Sequence, residues 1–159
     1  MKIATIGIYG WTPESFLAHL RAANVRVVFD VRQRRGVRGP EYAWANSLRI
    51  QAALDNAGID YRHHQELAPT TELRHVQYEA DARHGVGKRS RMELAPEYRE
   101  RYLREILDRV DLGELVHALP AEGTTALMCV ERDPEACHRS LITERLEAEH
   151  GISVVHLRP

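Results

Sequence analysis

Cysteine is scarce in this chain. The 159 residues hold two, Cys129 and Cys137. Two thiols cannot build a disulfide scaffold, and without an export signal they favour the reducing cytoplasm and free thiols. The N-terminal MKIATIGIYG carries one lysine and a strand-like run ending in glycine. It lacks the long apolar stretch and small-residue cleavage site of a signal peptide. No apolar run approaches the length that crosses a bilayer, so no membrane segment is expected. Charge of one sign is also missing. The net charge is −1 with the nine histidines neutral, so any contact with nucleic acid must rest on a local patch. Internal repeats, low-complexity tracts and linkers are absent. What is present, 43% hydrophobic and 28% charged residues, is the composition of an ordinary globular domain. The length suits a single domain over residues 1–159.

The pattern of elements alternates. Lys2–Ile8 reads as a strand that ends in Gly7-Ile8-Tyr9-Gly10. Thr12, Pro13 and Glu14 then form a helix start, as N-cap, N1 proline and first-turn acid. Val25–Val31 is a second strand, apolar enough for burial on both faces. An arginine-rich loop, 32–40, leads to a helix over Ala45–Asn56, with Leu48, Ala52 and Leu54 as its expected inner positions. Ile59–His63 is a short strand. Thr71–Ala82 has helical character, and residues 83–95 read as an exposed loop. Helices are expected over Pro96–Val110, Leu112–Leu119 and Arg139–His150, the last stopped by Gly151. Thr124–Val130 is the most apolar strand and so the central one, and Ser153–Leu157 is the last. The order predicts an α/β fold: one compact domain with a mostly parallel sheet of about five strands and helices on both faces.

In such a sheet ligands bind at the carboxyl ends of the strands. Asp30 and Arg32 fall at the end of the second strand, and His63, His64 and Glu66 at the end of the third. Cys129 and Glu131 end the central strand, and Cys137, His138 and Arg139 open the helix after it. Asp30 is a candidate general base, or a structural acceptor that holds an arginine. Arg32 and Arg139 are candidate anion ligands. Gly7 and Tyr9 belong to a turn that leads into a helix N-terminus and can present N–H groups to a phosphate. Their spacing matches neither the dinucleotide fingerprint nor the P-loop. Arg34, Arg35 and Arg38 form one basic loop with Arg32. Lys88, Arg89 and Arg91 form another. Tyr42, Trp44 and Tyr98 lie nearby, a combination that suits phosphate contact with base stacking.

The stretch 129–140, CVERDPEACHRS, frames the thiol chemistry. A phosphatase- or rhodanese-like loop needs an arginine six positions after the thiol, where Glu135 and Thr143 stand instead. The spacing is not the close CxxC pattern of zinc sites, and adjacent Cys137 and His138 are poorly placed for one tetrahedral ion, so no metal is expected. Cys137, beside His138, Arg139 and a helix start, is the candidate thiolate. Cys129 reads as core. Glu131 and His138 are a candidate acid–base pair.

TIG, FDVR, AGIDY, LMCVE and CHRSLI, in this order, resemble the domain-of-unknown-function 488 family across essentially the whole chain. LMCVERDPEACHRSLI is the most specific part. The resemblance implies a compact α/β domain with a mostly parallel sheet, and it implies no reaction. Asp30 and Arg32 match the family's Asp-Val-Arg. Cys129, Glu131, Cys137, His138 and Arg139 match its second signature. Two departures, Ile8-Tyr9-Gly10 for a His-Ser-like pair and Leu67-Ala68-Pro69 for Leu-Gly-Gly, suggest a subgroup marked by QRRGVRG and GVGKRSR.

Three functions fit. The first is binding of a phosphorylated ligand, nucleotide or nucleic acid, with hydrolysis or group transfer as the reaction class if it is an enzyme. The second is a small-molecule enzyme that uses Cys137. The third is a non-catalytic interaction module in which Asp30, Arg32, Glu131 and Arg139 form a structural ion-pair network. No cofactor is implied, and the pattern does not set the oligomeric state.

Overall fold

A computed structural model describes all of residues 1–159. Its elements alternate as the sequence predicts: β1 (Lys2–Ile6), α1 (Pro13–Ala22), β2 (Val25–Asp30), α2 (Ser47–Asn56), β3 (Asp60–His63), α3 (Thr71–Arg83), α4 (Pro96–Glu105), α5 (Leu112–His117), β4 (Thr124–Met128), α6 (Arg139–His150) and β5 (Ser153–Leu157). The five strands make one parallel sheet in the order β3-β2-β4-β1-β5. The chain leaves β2 toward one edge and β4 toward the other. The topological switch point therefore lies between β2 and β4, where an open parallel sheet leaves a crevice beyond its strand ends.

Alternation along the strands splits the core in two. Val28, Ala126 and Met128 face α1 and α2, where Phe16, Leu20, Ile50 and Leu54 meet them. Val27, Phe29 and Leu127 face the other side, packed against Leu73, Tyr98, Tyr102, Leu115, Leu141 and Leu146 from α3 to α6. All five residues of β4 are buried, as a central strand requires. The start of α1 is a capping box: the Thr12 side chain accepts from the Ser15 N–H, and the Ser15 hydroxyl accepts from the Thr12 N–H. Gly151 ends α6 at φ 62°, a left-handed cap that a residue with a side chain adopts only under strain. No helix is long and apolar enough to cross a membrane.

Several expectations need correction. In α2 the buried positions are Ile50 and Leu54, one helical turn apart. Leu48 lies two residues from Ile50, on the opposite side of the helix, and is 83% exposed; Ala52 is exposed as well. β1 stops at Ile6 because the Ile8 and Tyr9 N–H groups both donate to the Val130 carbonyl, at 2.9 and 3.0 Å. The helix expected to run to Val110 ends at Glu105 and continues as a 3₁₀ turn over Leu107–Arg109. Residues 83–95 are not a solvated loop throughout: Arg91 and Leu94 are buried. That inward tuck carries charge to the switch point.

Candidate functional site

The ends of β2 and β4 border a cavity of about 930 Å³. Its wall gathers both basic loops. Arg32, Arg34 and Arg38 come from the loop after β2, and Lys88, Arg89 and Arg91 from the segment after α3. The loops are joined where Arg89 donates to the Arg38 carbonyl (2.9 Å) and to Glu41 (3.0 Å). The Arg89 guanidinium lies over the rings of Tyr9 and Tyr42, 5.1 and 5.2 Å from their centroids. α3 adds Arg74, His75 and Tyr78 to the wall. Glu131 is the one carboxylate in the lining, against seven arginines and lysines. The side chains of Arg34, Arg38 and Lys88 make no hydrogen bond or ion pair within the protein; the charges of Arg34 and Arg38 face the cavity unmatched, and that of Lys88 is offset in part by Glu131.

Asp30 sits behind this wall, not in it. It is fully buried, and both carboxylate oxygens are engaged. Arg32 donates to them through Nε at 2.9 Å and Nη2 at 2.8 Å, and Tyr61 donates its hydroxyl. The third guanidinium nitrogen of Arg32 donates to the Ala45 carbonyl at 2.9 Å. Asp30 therefore acts as the structural acceptor that its sequence context allowed, and Arg32 presents to the cavity a guanidinium already bound.

Glu131 is held differently. Arg91 donates to it at 2.6 Å and to Asp81 at 2.6 Å, and all three are buried. Burial raises the Glu131 carboxyl pKa, but Lys88 and Arg91 outweigh it and hold the group at about 2. This direction favours the ionised form, so of its two expected roles Glu131 is placed as an acceptor of protons and hydrogen bonds. Burial works against charge on Lys88, yet Glu131 raises its pKa, so the ammonium stays protonated.

Arg139 is a correction of a different kind. It is fully buried and donates to the carbonyls of Glu131 (2.7 Å) and Arg132 (3.0 Å). It fixes the turn after β4 and does not line the cavity. Gly7 is also outside the wall. A Cβ there would lie 1.8 Å from the Glu131 carbonyl oxygen, so glycine is needed for two backbones to pass. The N–H groups that follow it are spent on Val130, so this turn offers no phosphate cradle. Arg35 turns away to the Tyr61 hydroxyl at 3.3 Å. His63 bonds the Arg32 carbonyl (2.8 Å) and His64 bonds Glu66 (2.6 Å), both outside the cavity.

Cys129, Cys137 and His138 form the cavity floor. Their ligand-capable atoms all lie within 4.8 Å of one another. Cys137 is extended at φ −140°, ψ 146°, and His138 is helical at φ −60°, ψ −19°. That change of backbone state swings two adjacent side chains to one side, which their adjacency in sequence argued against. His138 Nε2 donates to the Val31 carbonyl at 2.9 Å, leaving Nδ1 toward the sulfurs. The contact with Cys137 raises the Cys129 thiol pKa, and burial adds to it. Burial also raises that of Cys137, but Cys129, His138 and Arg139 outweigh it and carry it well below the ordinary value.

The sequence did not point to α3. Its Gln77 and Asp81 are buried one turn apart and hydrogen-bonded at 2.8 Å, on the face that also carries Leu73. Polar residues in register with a buried leucine were the available signal.

A parallel α/β sheet with a cation-walled crevice at its switch point defines the class of this protein. The family model described as Domain of unknown function DUF488 matches residues 12–146, and the chain belongs to that family. The match spans every cavity residue named here except Tyr9. No curated protein and no solved structure matches the chain.

Proposed function

We propose that the protein binds a phosphorylated ligand, a nucleotide either free or within a nucleic-acid strand, in the cavity beyond β2 and β4. The observation that carries this reading is the set of cations that bond no protein acceptor, Arg34, Arg38 and Lys88, on the wall of a cavity with one carboxylate. Cations without protein partners are satisfied only by water or by an anion, and phosphate offers several acceptor oxygens to each. The volume, about 930 Å³, suits a ligand of nucleotide size. Tyr9 and Tyr78 supply aromatic surface on the same wall, as base stacking requires. Hydrolysis or group transfer is the reaction class that such an anchor serves.

Binding of nucleotides and of a short single-stranded oligonucleotide is measured across a salt series. Three phosphate contacts give a log–log salt slope of about −2 for the single strand. A flat salt response, or no binding of either ligand at low salt, contradicts the reading.

A second reading keeps support from one place. Asp30 and Arg32 are fully paired, as a non-catalytic module would have them. Glu131 and Arg139 do not join that pair in one network, and the cavity lies between. The Cys137 thiolate reading draws on its lowered pKa. Reaction of both thiols with iodoacetamide at an ordinary slow rate would remove it.

A further inference from the structure

We propose that Cys129 Sγ, Cys137 Sγ and His138 Nδ1 bind one zinc-class divalent metal ion at the floor of the cavity, with its fourth coordination position open to the cavity. This stands apart from the phosphate reading: it uses none of the unmatched cations, and either can fail without the other.

Three observations carry it. The first is spacing. A tetrahedral zinc with Zn–S near 2.3 Å and Zn–N near 2.0 Å places sulfur and nitrogen about 3.5 Å apart. His138 Nδ1 lies 3.7 Å from Cys137 Sγ and 3.9 Å from Cys129 Sγ. A small inward movement of the sulfurs closes the set. The second is the other side of the imidazole. Metal-bound histidines donate their remaining ring N–H to a carboxylate or carbonyl, which fixes the ring. His138 Nε2 makes that bond to the Val31 carbonyl at 2.9 Å, so the ring is already turned with Nδ1 toward both thiols. Tyr102 packs against the imidazole at 5.4 Å between centroids and limits its rotation. The third is access. All three residues are at least nine-tenths buried, yet all line the cavity. An ion held by three protein ligands there keeps one position for water or a ligand oxygen, the arrangement of an open rather than a structural zinc site.

Donor softness sets the metal class. Two thiolates and an imidazole select zinc and its neighbours over magnesium or calcium, which take oxygen ligands. The site is neutral once both thiols ionise and the ion binds. The nearest carboxylate, Glu131, accepts from the Cys129 thiol at 3.4 Å and is held from the other side by Arg91, outside the three-ligand set.

The test is titration of the full chain, chelator-treated and kept under a phosphine reductant, with Co²⁺. One equivalent is expected to give the visible bands of tetrahedral cobalt and a near-ultraviolet thiolate-to-cobalt band, and zinc is expected to displace it. Cys129→Ser, Cys137→Ser and His138→Ala should each weaken binding by more than about a hundredfold, since loss of a mere supporting contact already costs 10–100-fold. Each serine variant should also lose intensity in the thiolate band. Folded wild-type protein that yields only the spectrum of hydrated cobalt overturns the proposal, and that result needs no variant to fold. Unchanged affinity and spectrum in the variants overturn it too. So does a Cys129–Cys137 disulfide in protein purified without reductant whose reduced form takes up no cobalt.

Discussion

Two buried arginines stand at neighbouring strand ends and do different things. Arg32, after β2, gives two nitrogens to Asp30 and one to the Ala45 carbonyl, and the carboxylate it binds also accepts from Tyr61. That centre is closed. Arg91, from the segment after α3, bridges Asp81 and Glu131 across the cavity wall, beside Lys88, whose ammonium bonds no protein acceptor. That centre is open. Both hold charge away from water, so burial does not tell them apart. Satisfaction does: a centre whose every donor and acceptor is used holds the fold, and one with spare charge beside a cavity can hold something else.

The comparison breaks first at the closed centre. Arg32→Met strands the Asp30 carboxylate in the core and should cost about 3–5 kcal/mol of unfolding free energy in urea titration. A loss under about 1 kcal/mol would mean that Asp30 does not depend on Arg32 for its satisfaction, and the two centres would no longer differ.

Glu131 gives the next largest effect. Its pKa falls from 4.5 to about 2 on folding. A carboxyl lowered in the folded state contributes stability above its unfolded value, and that stability is lost as pH falls through the folded one. In chelator-treated protein, Glu131→Gln should therefore cost about 3 kcal/mol at neutral pH. The gap between wild type and variant should narrow between about pH 4.5 and pH 2. Urea unfolding of both proteins at a series of pH values reads it. A gap independent of pH would assign the loss to packing.

The smallest effect on stability should come from the wall. Arg34→Ala and Arg38→Ala remove charges that no protein group partners, so each should shift unfolding free energy by less than about 0.5 kcal/mol. A larger loss in thermal or urea unfolding would show that these cations support the fold, and the open centre would then resemble the closed one.

Most of the fold was legible because caps and composition agreed. Thr12-Pro13 opens α1, Gly151 closes α6, and the uninterrupted apolar run of β4 marks it as central. The inner face of α2 was not legible. Leu48, Ile50 and Leu54 allow two helical faces, and only the packing against β2 and β4 chooses Ile50 with Leu54. At the site, strand ends led to Arg32 and Glu131, and the two basic loops led to Arg34, Arg38 and Lys88. Arg91 was misplaced because GVGKRSR reads as solvated, while its guanidinium is drawn inward by two carboxylates, one on α3. The approach of both cysteines to His138 was not legible, for a conformational reason. Spacing along the chain cannot show that Cys137 is extended and His138 helical, which turns adjacent side chains onto one point.

The central claim is that unmatched cations make the open centre a phosphate site. Its most direct test compares nucleotide and oligonucleotide affinity, by calorimetry at low salt, between wild type and the variant carrying Arg34→Ala and Arg38→Ala. The account predicts at least a tenfold weaker affinity, about 1.4 kcal/mol, in a variant of unchanged thermal stability. Equal affinity in the two proteins would contradict it.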